Sequence, residues 1–141
     1  DSLNRHNHTT EAVMRYEKSC GAVIFRKDAD WNVLLIRHTK GRHISFPKGH
    51  MEAGELESQT AEREVFEETG IRIKNLKYFG SQPWPYPSGV MIGFTAEYES
   101  GEIKLQEEEL CAGAFFHKDS LPELPGKLSL ARKLMDDWLE A

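Results

Sequence analysis

Apolar positions along this chain fall into short runs separated by glycine, proline, asparagine and aspartate. Residues 19–26 (SCGAVIFR) are rich in apolar and β-branched side chains, and residues 33–37 (VLLIR) resume the same pattern. The polar segment from Asp28 to Asn32 lies between them and is typical of a turn, so the two runs predict a β-hairpin. Further runs predict strands over residues 71–79, 90–98, 103–105 and 111–117.

Two segments have a helical pattern. Residues 56–69 place Ala61 and Val65 on one apolar stripe, and Gly70 follows where a left-handed residue after a helix is favoured. Residues 129–139 (SLARKLMDDWL) repeat apolar side chains at helical spacing and predict a second, amphipathic helix. Strands before and after the first helix, with the second helix at the end, predict an α/β fold in which a mixed β-sheet is sandwiched between α-helices.

The composition is that of one ordinary globular domain, with 141 residues of which 39% are hydrophobic and 29% charged. The net charge of −5 argues against general nucleic-acid binding, and no apolar run reaches the roughly 18 residues of a membrane span. Residues 1–13 are polar and are predicted to be an N-terminal extension or a tag remnant, with the domain at 14–141. We interpret Cys20 and Cys111 as buried thiols and, with no signal peptide visible, expect a cytoplasmic protein.

The first predicted helix carries three carboxylates on one face. Glu64, Glu67 and Glu68 occupy positions i, i+3 and i+4, where like charges destabilise a helix by roughly 0.2–0.5 kcal/mol per pair. A hard divalent cation removes that repulsion, because Mg²⁺ prefers carboxylate oxygens. The pattern therefore indicates a metal site, and a solvated acidic face is the alternative.

Residues around these carboxylates complete a longer motif, G-x5-E-x7-R-E-U-x-E-E-x-G-U, in which U is apolar. It is formed by Gly49, Glu55, Arg63, Glu64, Glu67, Glu68 and Gly70, with Val65 and Ile71 at the apolar positions. The motif is the Nudix box, and from about Arg15 onward the chain resembles the MutT-like Nudix hydrolases. The resemblance implies the Nudix fold and metal-dependent hydrolysis of a nucleoside diphosphate linked to another group.

The resemblance also implies roles for single residues. Glu64, Glu67 and Glu68 are expected to bind Mg²⁺ or Mn²⁺, and one of them to act as the base, while a backbone carbonyl at Lys48 or Gly49 is a further ligand. Arg63 is expected to orient a glutamate, and Glu55 to support the loop and helix electrostatically. An additional carboxylate from outside the box is common in the family. Glu109 in QEEEL resembles it, with a solvated loop as the alternative.

The proline-rich segment 81–89 (SQPWPYPSG) is predicted to be a stiff connection, because proline lacks the N–H that a helix or central strand needs. It resembles the SQPWPFP segment of NADH pyrophosphatases. That resemblance implies substrate contacts by Gln82, Trp84 and Tyr86, with rings held ready for stacking. The alternative is a structural connection in which Trp84 caps the core.

Other features favour a different substrate. Residues 19–25 (SCGAVIF) and 46–55 (FPKGHMEAGE) resemble Nudix enzymes that act on dinucleoside polyphosphates or nucleoside triphosphates. Full-length NADH pyrophosphatases also carry an extra N-terminal domain and commonly a zinc ribbon, and this sequence contains neither. Arg42 and Lys48 are candidate phosphate contacts, and an exposed basic loop is the alternative.

Three hypotheses follow. The first is a pyrophosphohydrolase that cleaves NADH-like or NAD-like dinucleotides to two mononucleotides. The second is the same chemistry on a dinucleoside polyphosphate or nucleoside triphosphate. The third is a non-catalytic ligand-binding regulator, although such a protein is expected to lose a glutamate of the box. In each case the partner is a small-molecule nucleotide, neither general nucleic-acid binding nor a membrane is expected, and the resemblance allows a homodimer.

Overall fold

The computed structural model describes residues 16–41, 44–84, 88–121, 132–133 and 136–137. The strands are β1 (Tyr16–Lys27), β2 (Trp31–His38), β3 (Ile44–Ser45), β4 (Lys48–His50), β5 (Arg72–Trp84), β6 (Ser88–Ser100) and β7 (Leu110–His117). The helix α1 spans Glu57–Thr69, and a 3₁₀ turn spans Lys118–Ser120. Residues 132–133 and 136–137 are helical, and the rest of the second predicted helix lies outside the described residues.

The strands form one mixed sheet with the order β3-β2-β1-β6-β5. β1 runs parallel to β6, from the pair Tyr16 and Ser88 to the pair Phe25 and Glu97. On its other edge β1 pairs antiparallel with β4 and with β2. β2 also pairs with β3 and β7, and β5 pairs antiparallel with β6. The predicted hairpin and mixed sheet are confirmed.

Successive side chains of β1 point to opposite faces of the sheet and enter two apolar clusters. Ala22 and Ile24 pack on the side of α1 with Ala61 and Val65. Val23 packs on the other side, in a cluster of buried residues with Val33, Leu35, Ile44, Phe46 and Met91. Full burial of such side chains contributes roughly 1.5–3 kcal/mol each, so the sheet holds α1 firmly. No helix in the described part of the chain is long and apolar enough to cross a membrane.

The predicted strand at residues 103–105 was wrong. Lys104 N–H donates to the Thr69 carbonyl at 2.7 Å, and Gln106 N–H donates to the Glu68 carbonyl at 2.9 Å. The last carbonyls of a helix lack partners within the helix, and here this segment supplies them. Its amides therefore bond to the end of α1 instead of to a neighbouring strand.

The proline-rich segment departs from the prediction at residues 81–84, which continue β5 instead of forming a connection. Pro83 pairs with Val90 of β6. A proline is tolerated there because β5 is last in the strand order, so a missing N–H can face away from the sheet. Residues 85–87 lie outside the described residues.

The two cysteines have different environments. Cys20 is buried in the core, and burial raises the pKa of its thiol to about 11, as suits an inert side chain. Cys111 is exposed, so the prediction of a buried thiol was wrong at this position. It stands near the beginning of β7, and its sulfur lies 3.8 Å from the His38 carbonyl oxygen.

Candidate active site

The two ends of α1 are fixed by local hydrogen bonds. At the start, the Leu56 N–H donates to Gln59 Oε1 at 2.8 Å. This bond satisfies a backbone donor that has no acceptor within the helix. At the end, Gly70 adopts a φ of 78° and its N–H donates to the Phe66 carbonyl at 2.8 Å. The positive φ is costly for other residues, which explains the glycine. The acidic face of α1 is therefore held at a defined rotation.

The Arg63 guanidinium links the loop before α1 to the acidic face. Its Nε donates to Glu55 Oε2 at 2.6 Å and its Nη2 donates to Glu55 Oε1 at 3.1 Å, which is a two-pronged contact. Nη2 also donates to the His50 carbonyl at 2.9 Å. Nη1 donates to Glu64 Oε2 at 2.9 Å and to Glu67 Oε1 at 3.1 Å. One cation thus gathers three carboxylates and the end of β4.

Glu55 is held in its ionised form. The hydrogen bond from Arg63 is the main cause that lowers the pKa of its carboxyl to about 2, and the Glu52 N–H, 2.9 Å away, adds to the effect. The Thr60 hydroxyl donates to the same carboxylate at 2.8 Å. The same contacts raise the pKa of Arg63 above its ordinary value. This pair keeps its charges throughout the physiological pH range.

Glu68 is in the opposite situation. The residue is only 3% exposed, and within the described part of the chain its Oε1 has no hydrogen-bond partner. Burial raises the pKa of its carboxyl to about 8, and the nearby charges of Glu64 and Glu109 act in the same direction, while Lys48 opposes them. Glu68 is therefore a carboxylate whose negative charge is poorly compensated by the protein.

Lys48 brings a positive charge to the same place. Its side chain is partly buried on β4, and its Nζ donates to Ser45 Oγ at 3.3 Å. Burial lowers the pKa of Lys48, and the charges of Glu68 and Glu109 oppose that shift. Glu109 itself is exposed in the turn before β7, and its carbonyl accepts from the Thr39 N–H at 2.8 Å. The turn thus brings a further carboxylate close to Glu68.

Gly49 provides the space in which Glu64 lies. The residue pairs with Cys20 of β1, which fixes β4 against the sheet. A Cβ atom added at Gly49 would collide with the Glu64 carboxylate. The carboxylate therefore lies directly against the backbone of β4, and any larger residue at this position would displace it. This contact gives a physical reason for the glycine of the motif.

The donor atoms gathered here fit a hard divalent cation. They are carboxylate oxygens and the backbone oxygens of β4. Glu68 Oε1 is buried without a hydrogen-bond partner in the described residues. Among those residues, no three acidic, histidine or cysteine side chains are already arranged around one point as ligands. Arg63 donates to one oxygen of Glu64 and to one of Glu67.

The structure brings together most of the residues that the sequence singled out. They are Lys48, Gly49, Glu55, Arg63, Glu64, Glu67, Glu68 and Glu109. Gln82 is partly buried on β5, opposite Met91 of β6. Trp84 ends β5 and its backbone pairs with Gly89, but its side chain lies outside the description, as do Arg42 and Tyr86.

Sequence reasoning did not single out two hydroxyl groups that contact this network. Ser45 accepts from Lys48, and Thr60 donates to Glu55. Ser45 is at a buried position of a short strand and gave no signal in the sequence. Thr60 could have been noticed, because it lies four residues before Glu64 and seven before Glu67, on the same face of the helix.

Sequence comparison supports the features described above. The profile of the NUDIX domain matches residues 15–139. The chain is 46% identical over 136 residues to the NAD-capped RNA hydrolase NudC of Actinobacillus succinogenes, covering 88% of this chain and 50% of that protein. NudC of Haemophilus influenzae is 46% identical over 131 residues, and the match covers 89% of this chain and 50% of that protein. The chain thus spans about half the length of these curated relatives.

Solved structures share the fold. An Ap4A hydrolase of C. elegans, in a binary complex, superposes with a TM-score of 0.61 at 26% identity, covering 71% of this chain and 79% of that one. A MutT NUDIX hydrolase from Burkholderia pseudomallei superposes with a TM-score of 0.69 at 23% identity, covering 84% of this chain and 93% of that one. The NUDIX domain of Shewanella oneidensis NrtR, complexed with ADP ribose, superposes with a TM-score of 0.70 at 16% identity, covering 89% of this chain and 87% of that one. The last two comparisons bear on the fold alone.

The raised pKa of Glu68 predicts that metal-free protein loses stability as the pH rises. The folded-state pKa of about 8 exceeds the ordinary 4.5, so the contribution of Glu68 is fully present below 4.5 and is lost as the pH rises through about 8. Glu68→Gln should therefore raise the free energy of unfolding at pH 9 by about 1–3 kcal/mol, because it removes a buried charge with an unpaired oxygen. At pH 5 the gain should be small.

Chemical denaturation with a chelator present at both pH values measures this difference. Glu67→Gln is the matched control on the same helix, where the side chain is 53% exposed and solvent screens its charge. Glu67→Gln should raise the free energy of unfolding very little at either pH. A Glu68→Gln variant no more stable than the wild type at pH 9 would show that the buried charge is compensated.

Proposed function

The chain belongs to the NUDIX family, and from that premise we propose that it is a metal-dependent pyrophosphohydrolase whose substrate is NADH or a related dinucleotide. The observation that carries the proposal is Glu68, a carboxylate buried beside Glu64 with one oxygen lacking a hydrogen bond in the described residues. Burying such a group without compensation costs stability, which a site for a divalent cation explains. Hydrolysis would release two mononucleotides.

Mg²⁺ or Mn²⁺ would be held by the carboxylates of Glu64, Glu67 and Glu68, with the Gly49 carbonyl and Glu109 as further ligands. When bound, the cation would neutralise charge on the diphosphate oxygens and make a bound water more acidic. The fit rests on the oxygen-only donor set and on the close contact between Gly49 and Glu64.

The protein's own groups have separable roles in this proposal. Arg63 stays charged and holds Glu64 and Glu67 toward β4. Glu68 is the proposed base, because burial raises the pKa of its carboxyl and so makes its ionised form more basic than an exposed carboxylate. Lys48 lies beside Glu68 with a partly buried ammonium group and would contact a phosphate oxygen as a point charge. Arg42 is proposed as a second phosphate contact.

The choice of a dinucleotide substrate is supported by the curated relatives, which are 44–46% identical and are named NAD-capped RNA hydrolases. In this chain, Gln82, Trp84 and Tyr86 belong to the segment SQPWPYP, at the end of β5 and just beyond it. We assign the two rings to stacking on the substrate and Gln82 to a hydrogen bond with it. Binding between copies of this chain as a homodimer stays a prediction.

A second candidate substrate is a dinucleoside polyphosphate. The supporting observation is the superposition on the Ap4A hydrolase of C. elegans, at 26% identity. The segments 19–25 and 46–55, the second of which includes Lys48, are the parts of this chain that favour that substrate. Both substrates contain a phosphoanhydride bond, so the acidic cluster serves either one, and the difference lies in the residues around it.

A substrate panel tests the proposed activity. Purified protein with Mg²⁺ should convert NADH to two mononucleotides faster than it cleaves Ap4A, ADP ribose or a nucleoside triphosphate, with products separated by chromatography. A short NAD-capped RNA belongs in the same panel. Glu68→Gln should lower kcat by about 100-fold or more, since it removes both a ligand and the proposed base. Absence of turnover on every compound would contradict the proposal, and faster Ap4A cleavage would favour the second candidate.

The aromatic residues allow a separate prediction about substrate recognition. Trp84→Ala or Tyr86→Ala should raise KM for NADH by about 2- to 12-fold with little change in kcat, because ring stacking contributes roughly 0.5–1.5 kcal/mol. Trp31→Ala is the control, since Trp31 lies in β2 beside Lys27, at the end of β1 away from Gly49. Steady-state kinetics of the three variants measure the effect, and equal KM values would assign the rings a structural role.

A further inference from the structure

Thr60 occupies an unusual position for a hydroxyl group. It lies on α1, is fully buried, and its side chain contacts the loop that precedes the helix. Its Oγ1 is 2.8 Å from Glu55 Oε1 and 3.4 Å from the Leu56 carbonyl oxygen. A helical threonine commonly donates to the carbonyl four residues earlier, which here is Leu56. The shorter distance favours donation of the single proton to the carboxylate.

A second threonine on the same helix shows the ordinary arrangement. Thr69 is also fully buried, and its Oγ1 donates to the Val65 carbonyl at 2.6 Å, four residues earlier. Its hydroxyl lies at the end of α1 and also accepts a hydrogen bond from the Ile71 N–H at 3.3 Å. The two threonines therefore share burial, residue type and helix, and differ in whether the hydroxyl reaches a carboxylate.

The carboxylate that Thr60 reaches belongs to a loop and has several donors. Glu55 Oε1 accepts from the Glu52 N–H, from Thr60 and from Arg63, and Oε2 accepts from Arg63. Glu52 belongs to the same loop, and Arg63 is shared with the acidic face of α1. Among the donors to Glu55 that the structure describes, the Thr60 hydroxyl is the one on the buried side of the helix. It therefore restricts where the Glu55 carboxylate can lie.

We propose that Thr60 is a positioning residue, which fixes Glu55 and, through Glu55, the Arg63 guanidinium that holds Glu64 and Glu67 toward β4. The inference rests on the proposed function of these glutamates as ligands of a divalent cation. Groups that orient metal ligands from behind commonly change metal affinity or activity by 10- to 100-fold when they are removed. Two residues, Glu55 and Arg63, separate Thr60 from the ligands, so we expect about the lower figure.

The test compares Thr60→Val with Thr69→Val, because valine keeps the shape of threonine and removes the hydroxyl. Calorimetry with Mn²⁺ measures affinity independently of any substrate, and the Mg²⁺ concentration at half-maximal rate gives a second readout. Thr60→Val should weaken Mn²⁺ binding by about 10-fold. Thr69→Val should lower the unfolding temperature and leave Mn²⁺ affinity unchanged. Thr60→Ser, which restores the hydroxyl, should recover most of the affinity.

A double-mutant cycle separates this role from a general loss of structure. If Thr60 acts through Glu55, then adding Thr60→Val to Glu55→Ala should cause no further loss of Mn²⁺ affinity. Should Thr60→Val not fold, Thr60→Ala is measured in its place. Unchanged Mn²⁺ affinity in the Thr60 variant would overturn the inference. An equal loss of Mn²⁺ affinity in Thr69→Val would also overturn it, and so would a wild-type protein that binds no Mn²⁺. Mn²⁺ binding without turnover of any nucleotide would refute the proposed function alone.

Discussion

Carboxylates that repel one another are held together at one end of the sheet, and Arg63 makes this possible. Its guanidinium contacts Glu55, Glu64 and Glu67 within 3.1 Å. One positive charge does not balance three negative ones, and Glu68 is buried next to them. In the protein alone the excess is relieved by protonation, since burial raises the pKa of Glu68 to about 8. A divalent cation would relieve it without a proton, which is the physical basis of the proposed chemistry.

The sheet and the helix supply the rigidity that this arrangement needs. β4 pairs with β1 and places Gly49 against Glu64, while the apolar stripe of α1, which adjoins the acidic face, packs on the sheet. Most residues proposed for the reaction therefore lie on β4 and α1, and Glu55 and Glu109 lie in the adjoining loop and turn. The segment assigned to substrate choice begins at the end of an edge strand, at Trp84. Such a division allows different substrates to be served by one hydrolytic centre.

Much of this was predictable from the sequence, because the relevant signals are local. The helix was predicted from the spacing of Ala61 and Val65 and from Gly70, and the acidic cluster from the spacing of its glutamates. Contacts between distant segments were not predictable in the same way. The parallel pairing of β1 with β6, the bonding of residues 104 and 106 to the end of α1, and the hydroxyl of Thr60 on Glu55 depend on how the chain closes in three dimensions. Pro83 in a strand depends on that strand being at the edge.

The central claim is that the acidic face of α1 binds a divalent cation against β4. Crystals soaked in Mn²⁺, with data collected at the manganese absorption edge, test it most directly. We expect an anomalous peak in contact with the carboxylates of Glu64 and Glu68 and near the Gly49 carbonyl. A peak confined to the exposed turn around Glu109, or no peak beside Glu68, would contradict the account.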